Sequence, residues 1–467
     1  MDSVNVRWRI CTLLSFIGIT FLVFAVKHSH DGSGFWSPQN IAFVARPAHE
    51  SSSESDTRVN DPPSFIETEK EVKGFWSPQN IAFAATPAHE SSSESDTRVN
   101  DPPSFIETEK EVKGDEDECD IFDGRWVYDP GSSPMYSGAQ CPFLSDQVSC
   151  QRNRRPDSHY ERWNWEGNRC NIPWFNGTDM LERLRGKRVV IVGDSLNRNQ
   201  WESLACLLYS SIPSSETHVD VRSGTYKIFR AKSYNCSVEF YWSPFLVQLE
   251  TNRINGSRVL MLDRLSTSAR RWRGAGVMIF NMGHWWVHQG KLKSWDFLQY
   301  KGVLRQNMEM ETAFKRAMRT WARWINQNVN TNETRVFFRS ISPEHKGQRW
   351  CHNVTEPSLD RSYNTSFPKS IAEIAERTIQ NMRTPVKYLN ITKLSEQRKD
   401  GHPTVYTTKQ GKLLTEEQRK KPEVYADCSH WCLPGVPDTW NQLVYASMVL
   451  DSSRDGSSSS HTISLKL

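Results

Sequence analysis

Residues 188–200 read Arg-Val-Val-Ile-Val-Gly-Asp-Ser-Leu-Asn-Arg-Asn-Gln, and they constrain the fold of this chain more than any other stretch. Four consecutive β-branched residues with no polar alternation suit a strand covered on both faces, as in a parallel sheet. Such a strand needs a crossover to reach its parallel neighbour, so helices must follow. Further strand-like runs occur at residues 238–242, 277–281 and 336–340, with helix-like runs between and after them. The clearest helix spans residues 309–325, with Phe314, Met318, Trp321 and Ile325 on one face; residues 200–208 and 440–449 read as two more. Alternating strands and helices predict an α/β fold, a three-layer α/β/α sandwich with a mainly parallel central sheet. In such sheets functional residues gather beyond the carboxyl ends of the strands.

Ser195 stands at that position. It follows the buried-type strand and precedes a helix, so backbone N–H groups at the helix start can stabilise a developing oxyanion. Gly193 permits a tight turn ahead of it. The structural alternative is that Ser195 or Asp194 only caps the helix. Downstream, Asp427 and His430 lie three residues apart, a spacing that puts both side chains on one face of a helical turn. A serine, a histidine and a carboxylate that orients it are the parts of a nucleophilic acyl-transfer site.

The chain also carries the marks of an oxidising compartment. Of ten cysteines, Cys11 lies in an apolar run, and Cys119, Cys141, Cys150, Cys170, Cys206, Cys236, Cys351, Cys428 and Cys432 lie beyond residue 118. Nine is odd, and Cys236, in an alternating strand-like run, is expected to stay free while the other eight form disulfides. Zinc is the competing reading for Cys428 and Cys432, but no second tight Cys/His pair completes four ligands, so no metal is expected. Seven Asn-x-Ser/Thr sequons, at Asn176, Asn235, Asn255, Asn332, Asn353, Asn364 and Asn390, are candidate glycosylation sites. Residues 10–26 form an uncharged apolar run near the short limit for spanning a bilayer. An uncleaved signal anchor is favoured over a cleaved signal peptide, with residues 1–9 cytoplasmic and the rest lumenal.

Residues 34–73 repeat as residues 74–113, the copies differing only at Val44/Ala84 and Arg46/Thr86. Two copies of a solvated, Ser- and Pro-rich composition cannot bury a core, so residues 27–118 are expected to form a disordered stem. Residues 34–118 hold 18 acidic and seven basic residues, while the whole chain is at +4; the part beyond is therefore basic. A basic domain suggests an anionic partner; a lumenal setting favours an acidic polysaccharide over nucleic acid, and a solvated surface without preference is the structural alternative. Residues 119–175, with four cysteines and many aromatics, predict a loop-rich, disulfide-stapled subdomain packed on a domain of residues 176–450. The Ser-rich residues 451–467 read as a disordered tail.

Gly193-Asp194-Ser195 with Asp427-x-x-His430 resembles the SGNH/GDSL hydrolase arrangement. Cys119-Asp-Ile-Phe-Asp-Gly-Arg-Trp126, Arg162-Trp-Asn-Trp165, Asn281-Met-Gly-His-Trp-Trp286 and Asp427-Cys-Ser-His-Trp-Cys-Leu-Pro-Gly435 narrow the resemblance to the plant trichome birefringence-like family. The resemblance spans nearly the whole expected folded region, but not the stem. It implies Golgi type II membrane proteins that O-acetylate cell-wall polysaccharide, xylan above all, with Ser195, His430 and Asp427 as a triad. It implies no bound cofactor but an acetyl donor, with acetyl-CoA as the candidate. Candidate oxyanion or substrate contacts are Gly193, Arg198, Asn199, Asn281, His284, Trp285 and Arg339, the last as a partner for a uronate carboxylate. Trp285 and Trp286 suit sugar faces, or a core. An esterase using water as acceptor and a non-catalytic polysaccharide binder remain the alternatives.

Overall fold

A computed structural model describes residues 119–347, 350–358 and 367–460; the expected anchor, stem and last seven residues lie outside them. A seven-stranded sheet forms the centre. Its parallel part runs, in spatial order, β13 (Lys387–Leu389), β12 (Arg335–Arg339), β9 (Val277–Phe280), β3 (Arg188–Gly193) and β6 (Cys236–Trp242). Antiparallel β5 (Tyr226–Ala231) and β4 (Thr217–Asp220) close one edge.

Side chains alternate across each strand, and β3 shows how that builds the layers. Val189 and Ile191 face one apolar cluster. That cluster is completed by Met180 and Leu181 of helix α1 (Gly177–Arg183), by Trp201, Leu204 and Leu208 of α2 (Ser195–Tyr209) and by Trp440, Leu443 and Val444 of α5 (Val436–Ser460). Val190 and Val192 face the opposite cluster. There Phe314, Met318, Trp321 and Ile325 of α3 (Met310–Asn328) pack with Ile371, Ala375 and Ile379 of α4 (Lys369–Gln380). The expected three-layer α/β/α arrangement is therefore the one present.

Three features depart from expectation. Residues 119–175 are not loops alone: β1 (Gly124–Tyr128) and β2 (Trp163–Gly167) pair antiparallel, with Trp126 opposite Trp165. Both indoles are buried in the α2/α5 cluster, and Trp126 Nε1 donates to the Leu394 carbonyl at 2.8 Å. A second sheet, ordered β11 (Val303–Arg305), β10 (Phe297–Tyr300), β8 (Arg258–Leu265) and β7 (Val247–Thr251), is added beside the central one. Finally, α5 runs through Ser460, past the boundary expected at residue 450. Its packed first half supplies the nucleus, and each further residue adds one hydrogen bond without nucleation cost.

Four disulfides join Cys119–Cys170, Cys141–Cys206, Cys150–Cys432 and Cys351–Cys428, and Cys236 is free and buried. Among the described residues no helix is long and apolar enough to cross a membrane. Six of the seven sequon asparagines are exposed, and Asn364 lies outside the described residues.

Candidate active site

The carboxyl ends of β3, β6, β9 and β12 lead directly into the candidate residues, as a parallel sheet requires. The cap at the start of α2 belongs to Asp194, whose Oδ1 accepts from the Leu196 N–H at 3.0 Å. Ser195 is thus the first helical residue and its hydroxyl is not consumed by capping. Asn281, just past β9, holds Asp194 from both sides: its Oδ1 accepts from the Asp194 N–H and its Nδ2 donates to Oδ1 of Asp194. A Cβ on Gly193 would run into Asn281 Oδ1, so only glycine leaves room for this clasp.

His430 and Asp427 form the expected pair. Nδ1 of His430 donates to Oδ2 of Asp427 at 2.8 Å. The backbone N–H groups of Ser429 and His430 donate to Oδ1 of Asp427 at 3.1 and 3.0 Å. Burial opposes the charge on Asp427, but His430 and these N–H groups hold its carboxyl far below the usual carboxylate range. The outward nitrogen of the imidazole, Nε2, is buried and has no hydrogen-bond partner among the described residues, so Ser195 and His430 share no hydrogen bond.

Two links hold the Ser195 helix against the His430 loop. Asn199, one turn beyond Ser195, accepts from the Trp431 N–H at 2.8 Å and donates to the Trp431 carbonyl at 3.2 Å. Arg198 donates to Oε1 of Gln147 at 2.7 Å, and Gln147 Nε2 lies 3.3 Å from Asp427 Oδ2 and 3.2 Å from His430 Nδ1. The loop is further fixed by disulfides at Cys428 and Cys432, on either side of His430. Beneath it, His402 stacks on Trp431 at 4.1 Å and donates from Nδ1 to the His430 carbonyl at 2.7 Å. Burial, then His345, which is 2.7 Å away, push the His402 imidazole well below its ordinary value, so it is neutral.

Several candidates take other places. Arg339 is fully buried: its Nε donates to Asn197 Oδ1, its Nη1 to the Ser340 carbonyl, and its guanidinium lies 4.7 Å from the Trp440 ring centroid. Burial pulls the guanidinium down to about 10, and nearby Asp194 is its counter-charge. It braces the sheet and does not present itself to a uronate. Asn199 is likewise buried, with both ends of its side-chain amide committed to the backbone of Trp431. His284 is buried, donates from Nε2 to the Ser342 carbonyl at 2.8 Å, and turns Nδ1 towards Asp194 Oδ2 at 3.7 Å. Burial lowers its pKa, so it is neutral. Trp286 packs in the core against Phe245, Trp295 and Phe314. Trp285 alone of this group stays half-exposed, edge-on to Trp242 at 5.4 Å. Trp242 ends β6 opposite Gly193, beside the start of α2.

Gln147 is the site residue that sequence reasoning passes over. It carries no motif, and only its place between Cys141 and Cys150 hints that its position is fixed.

Residues 172–447 match the GDSL/SGNH-like acyl-esterase family found in Pmr5 and Cas1p, and residues 117–171 match the PMR5 N-terminal domain. Trichome birefringence-like 1 and trichome birefringence of Arabidopsis thaliana are each 41% identical over 348 residues, 71% of this chain and 62% and 56% of theirs. The chain thus spans less than two thirds of these two relatives. Trichome birefringence-like 31 of Arabidopsis thaliana is 40% identical over 347 residues, 72% of this chain and 83% of its own. Xylan O-acetyltransferase 6 of Oryza sativa subsp. japonica is 42% identical over 355 residues, 71% of this chain and 62% of its own. A PMR5-type segment, an acyl-esterase-type domain and these relatives place the chain in the trichome birefringence-like family.

Proposed function

We propose that this chain is a polysaccharide O-acetyltransferase that moves an acetyl group from a donor to a sugar hydroxyl through an acetyl-serine on Ser195. The acceptor is plant cell-wall polysaccharide of the xylan type, as the name of the rice relative suggests. The observation that carries the reading is the pinning of two distant elements to each other. Asn199 ties the Ser195 helix to the residue after His430, while the Asp427–His430 pair leaves Nε2 of the imidazole unclaimed.

In this mechanism Ser195 Oγ attacks the acetyl carbonyl carbon and His430 Nε2 takes the hydroxyl proton. Asp427 holds the imidazole in the Nδ1–H tautomer and stabilises the imidazolium. Negative charge on the carbonyl oxygen is met by N–H groups at the start of α2. The bond to the donor's leaving group breaks, and His430 returns the proton to it. A sugar hydroxyl then attacks the acetyl-serine as His430 takes its proton; the ester C–O bond to the sugar forms and Ser195 recovers its hydroxyl. Water in place of the sugar would make the same site an esterase, so shielding the acyl-enzyme from water decides the outcome. Trp285 and Trp242 offer half-exposed aromatic surface beside the site for sugar rings.

The same reading places the protein in the Golgi membrane, anchored by residues 10–26 with the folded part lumenal. The sequon asparagines, exposed wherever described, and the four disulfides fit that compartment. Acetyl-CoA is the proposed donor.

The test incubates purified protein with an acetyl donor and xylo-oligosaccharides and follows the products by NMR. Acetylated oligosaccharide from wild type and none from Ser195→Ala supports the transferase. Donor loss without sugar acetylation supports an esterase. Oligosaccharide binding without turnover of any donor, unchanged by Ser195→Ala, supports a binder.

A further inference from the structure

We propose that Gln147 is a positioning residue for acyl transfer, and that residues 141–150 form a strap from the N-terminal segment that sets the serine helix and the histidine loop against each other. The proposal rests on the acyl-transfer reading of Ser195, His430 and Asp427.

The strap is anchored at both ends by covalent bonds to the two elements it spans. Cys141 is bonded to Cys206 on α2, the helix that Ser195 begins, and Cys150 to Cys432, two residues beyond His430. Between these anchors the backbone is held again on each side. Ser145 donates from its N–H and its hydroxyl to Glu202 of α2 at 3.2 and 2.8 Å. The Val148 carbonyl accepts from the Leu433 N–H at 2.9 Å, and the Gln147 carbonyl accepts from Thr407 Oγ1 at 2.9 Å.

The orientation of the Gln147 amide follows from its neighbours. Arg198 can only donate, so the oxygen faces Arg198 and the NH₂ faces Asp427. Nδ1 of His430 carries a proton aimed at Asp427, so it cannot also accept from Gln147. The Gln147 N–H therefore donates to Asp427 Oδ2, which receives the imidazole N–H on the same oxygen. Gln147 limits where that carboxylate can sit and how much of its charge falls on the imidazolium. Through Arg198 the same amide is tied to the first turn of the nucleophile helix. A segment matched as a separate N-terminal domain thus reaches into the site.

The other charged or titratable groups near the histidine loop are Arg198 on α2, His402 beneath the His430 carbonyl, His345, Arg155 and Glu344. His345 donates its backbone N–H to the Cys428 carbonyl and lies 2.7 Å from His402, Arg155 reaches Cys432, and Glu344 bonds Ser429 and lies 3.3 Å from Lys346. None donates a hydrogen bond to Asp427 Oδ2 besides Gln147 and His430 among the described residues.

The experiment compares wild type with Gln147→Met, which keeps length but makes neither bond, and Gln147→Glu, which keeps an acceptor for Arg198 and puts a second carboxylate beside Asp427. Rates of acetyl transfer to xylo-oligosaccharides are measured across pH, and the His430 imidazole is followed by NMR titration, assigned with His430→Ala. The expected result is a kcat lower by about 10–100-fold in both variants with acceptor KM within about twofold. The acid limb of the rate profile and the NMR midpoint should both move to higher pH in Gln147→Met and further in Gln147→Glu, because an uncompensated carboxylate favours the imidazolium. A lowered thermal midpoint with unchanged kcat, limb and NMR midpoint would overturn the positioning role. A moved NMR midpoint in a protein that transfers no acetyl would retain Gln147's hold on the pair and sink the acyl-transfer reading instead.

Discussion

Asn199 holds both backbone groups of Trp431, its side-chain oxygen taking the N–H at 2.8 Å and its amide giving a hydrogen to the carbonyl at 3.2 Å. Sequence separates the two residues by more than two hundred positions, yet this side chain is a direct tie between the helix of Ser195 and the loop of His430, alongside the Arg198–Gln147 link. Asn199→Ala should lower stability by about 2 kcal/mol, two hydrogen bonds at a buried site. It should also lower kcat by about 100-fold, through misplacement of the base, with little change in acceptor KM. Thermal unfolding and steady-state kinetics check the two effects separately.

Asp427→Asn keeps the shape of the carboxylate but removes its charge, and the amide can direct a hydrogen at Nδ1 and favour the wrong imidazole tautomer. A loss of about 10⁴-fold in kcat is expected. The variant also has a pH signature in stability. The Asp427 carboxyl is held below its ordinary value in the folded protein, so its contribution is present above the unfolded value of about 3.9 and is lost as pH falls below it. Thermal midpoints measured from neutral pH down to about 3 should fall more steeply for wild type than for Asp427→Asn.

The disulfides at Cys428 and Cys432 flank His430 and lead to different parts of the chain, Cys351 and Cys150. Replacing Cys351 and Cys428 together by serine should destabilise the fold by about 2–4 kcal/mol. Activity should fall further than stability explains, because the loop that carries the imidazole loses one of its covalent holds. Kinetics at a temperature where both proteins are fully folded separates the two losses.

Arg339 ends a strand beside the site but points its guanidinium into the interior, towards Asn197 and Trp440. Arg339→Lys should destabilise by about 2 kcal/mol, because lysine keeps the charge but cannot reproduce the buried hydrogen bonds to Asn197 and Ser340 or the guanidinium stacking over Trp440. It should affect neutral and glucuronate-bearing xylo-oligosaccharides equally. A selective loss on the acidic acceptor would show that this residue reads substrate charge after all.

How much of this was legible in the sequence depends on the range of the forces involved. The central strand and its helix were readable because a continuous apolar run followed by Gly-Asp-Ser states its own burial and its own turn. The Asp427–His430 pair was readable because both residues lie within one turn of chain. The sheet built from β7, β8, β10 and β11 was not, because β8 joins β10 in parallel across a long excursion and β11 exposes Val303 and Leu304. Arg339 misled because the end of a parallel strand serves equally for a substrate contact and for a buried brace. Only Asp194, Asn197 and Trp440, remote in sequence, decide between them. Gln147 was invisible for the same reason: its partners are Arg198, Asp427 and His430, brought to it by disulfides whose pairing no spacing reveals.

The central claim is that Ser195 carries the acetyl group between donor and acceptor. Intact-protein and peptide mass spectrometry, after brief exposure to an activated acetyl ester without acceptor, tests it directly. The account predicts one acetyl group on Ser195, absent from Ser195→Ala and discharged from wild type when xylo-oligosaccharide is added. Acetylated oligosaccharide formed at an undiminished rate by Ser195→Ala would contradict it.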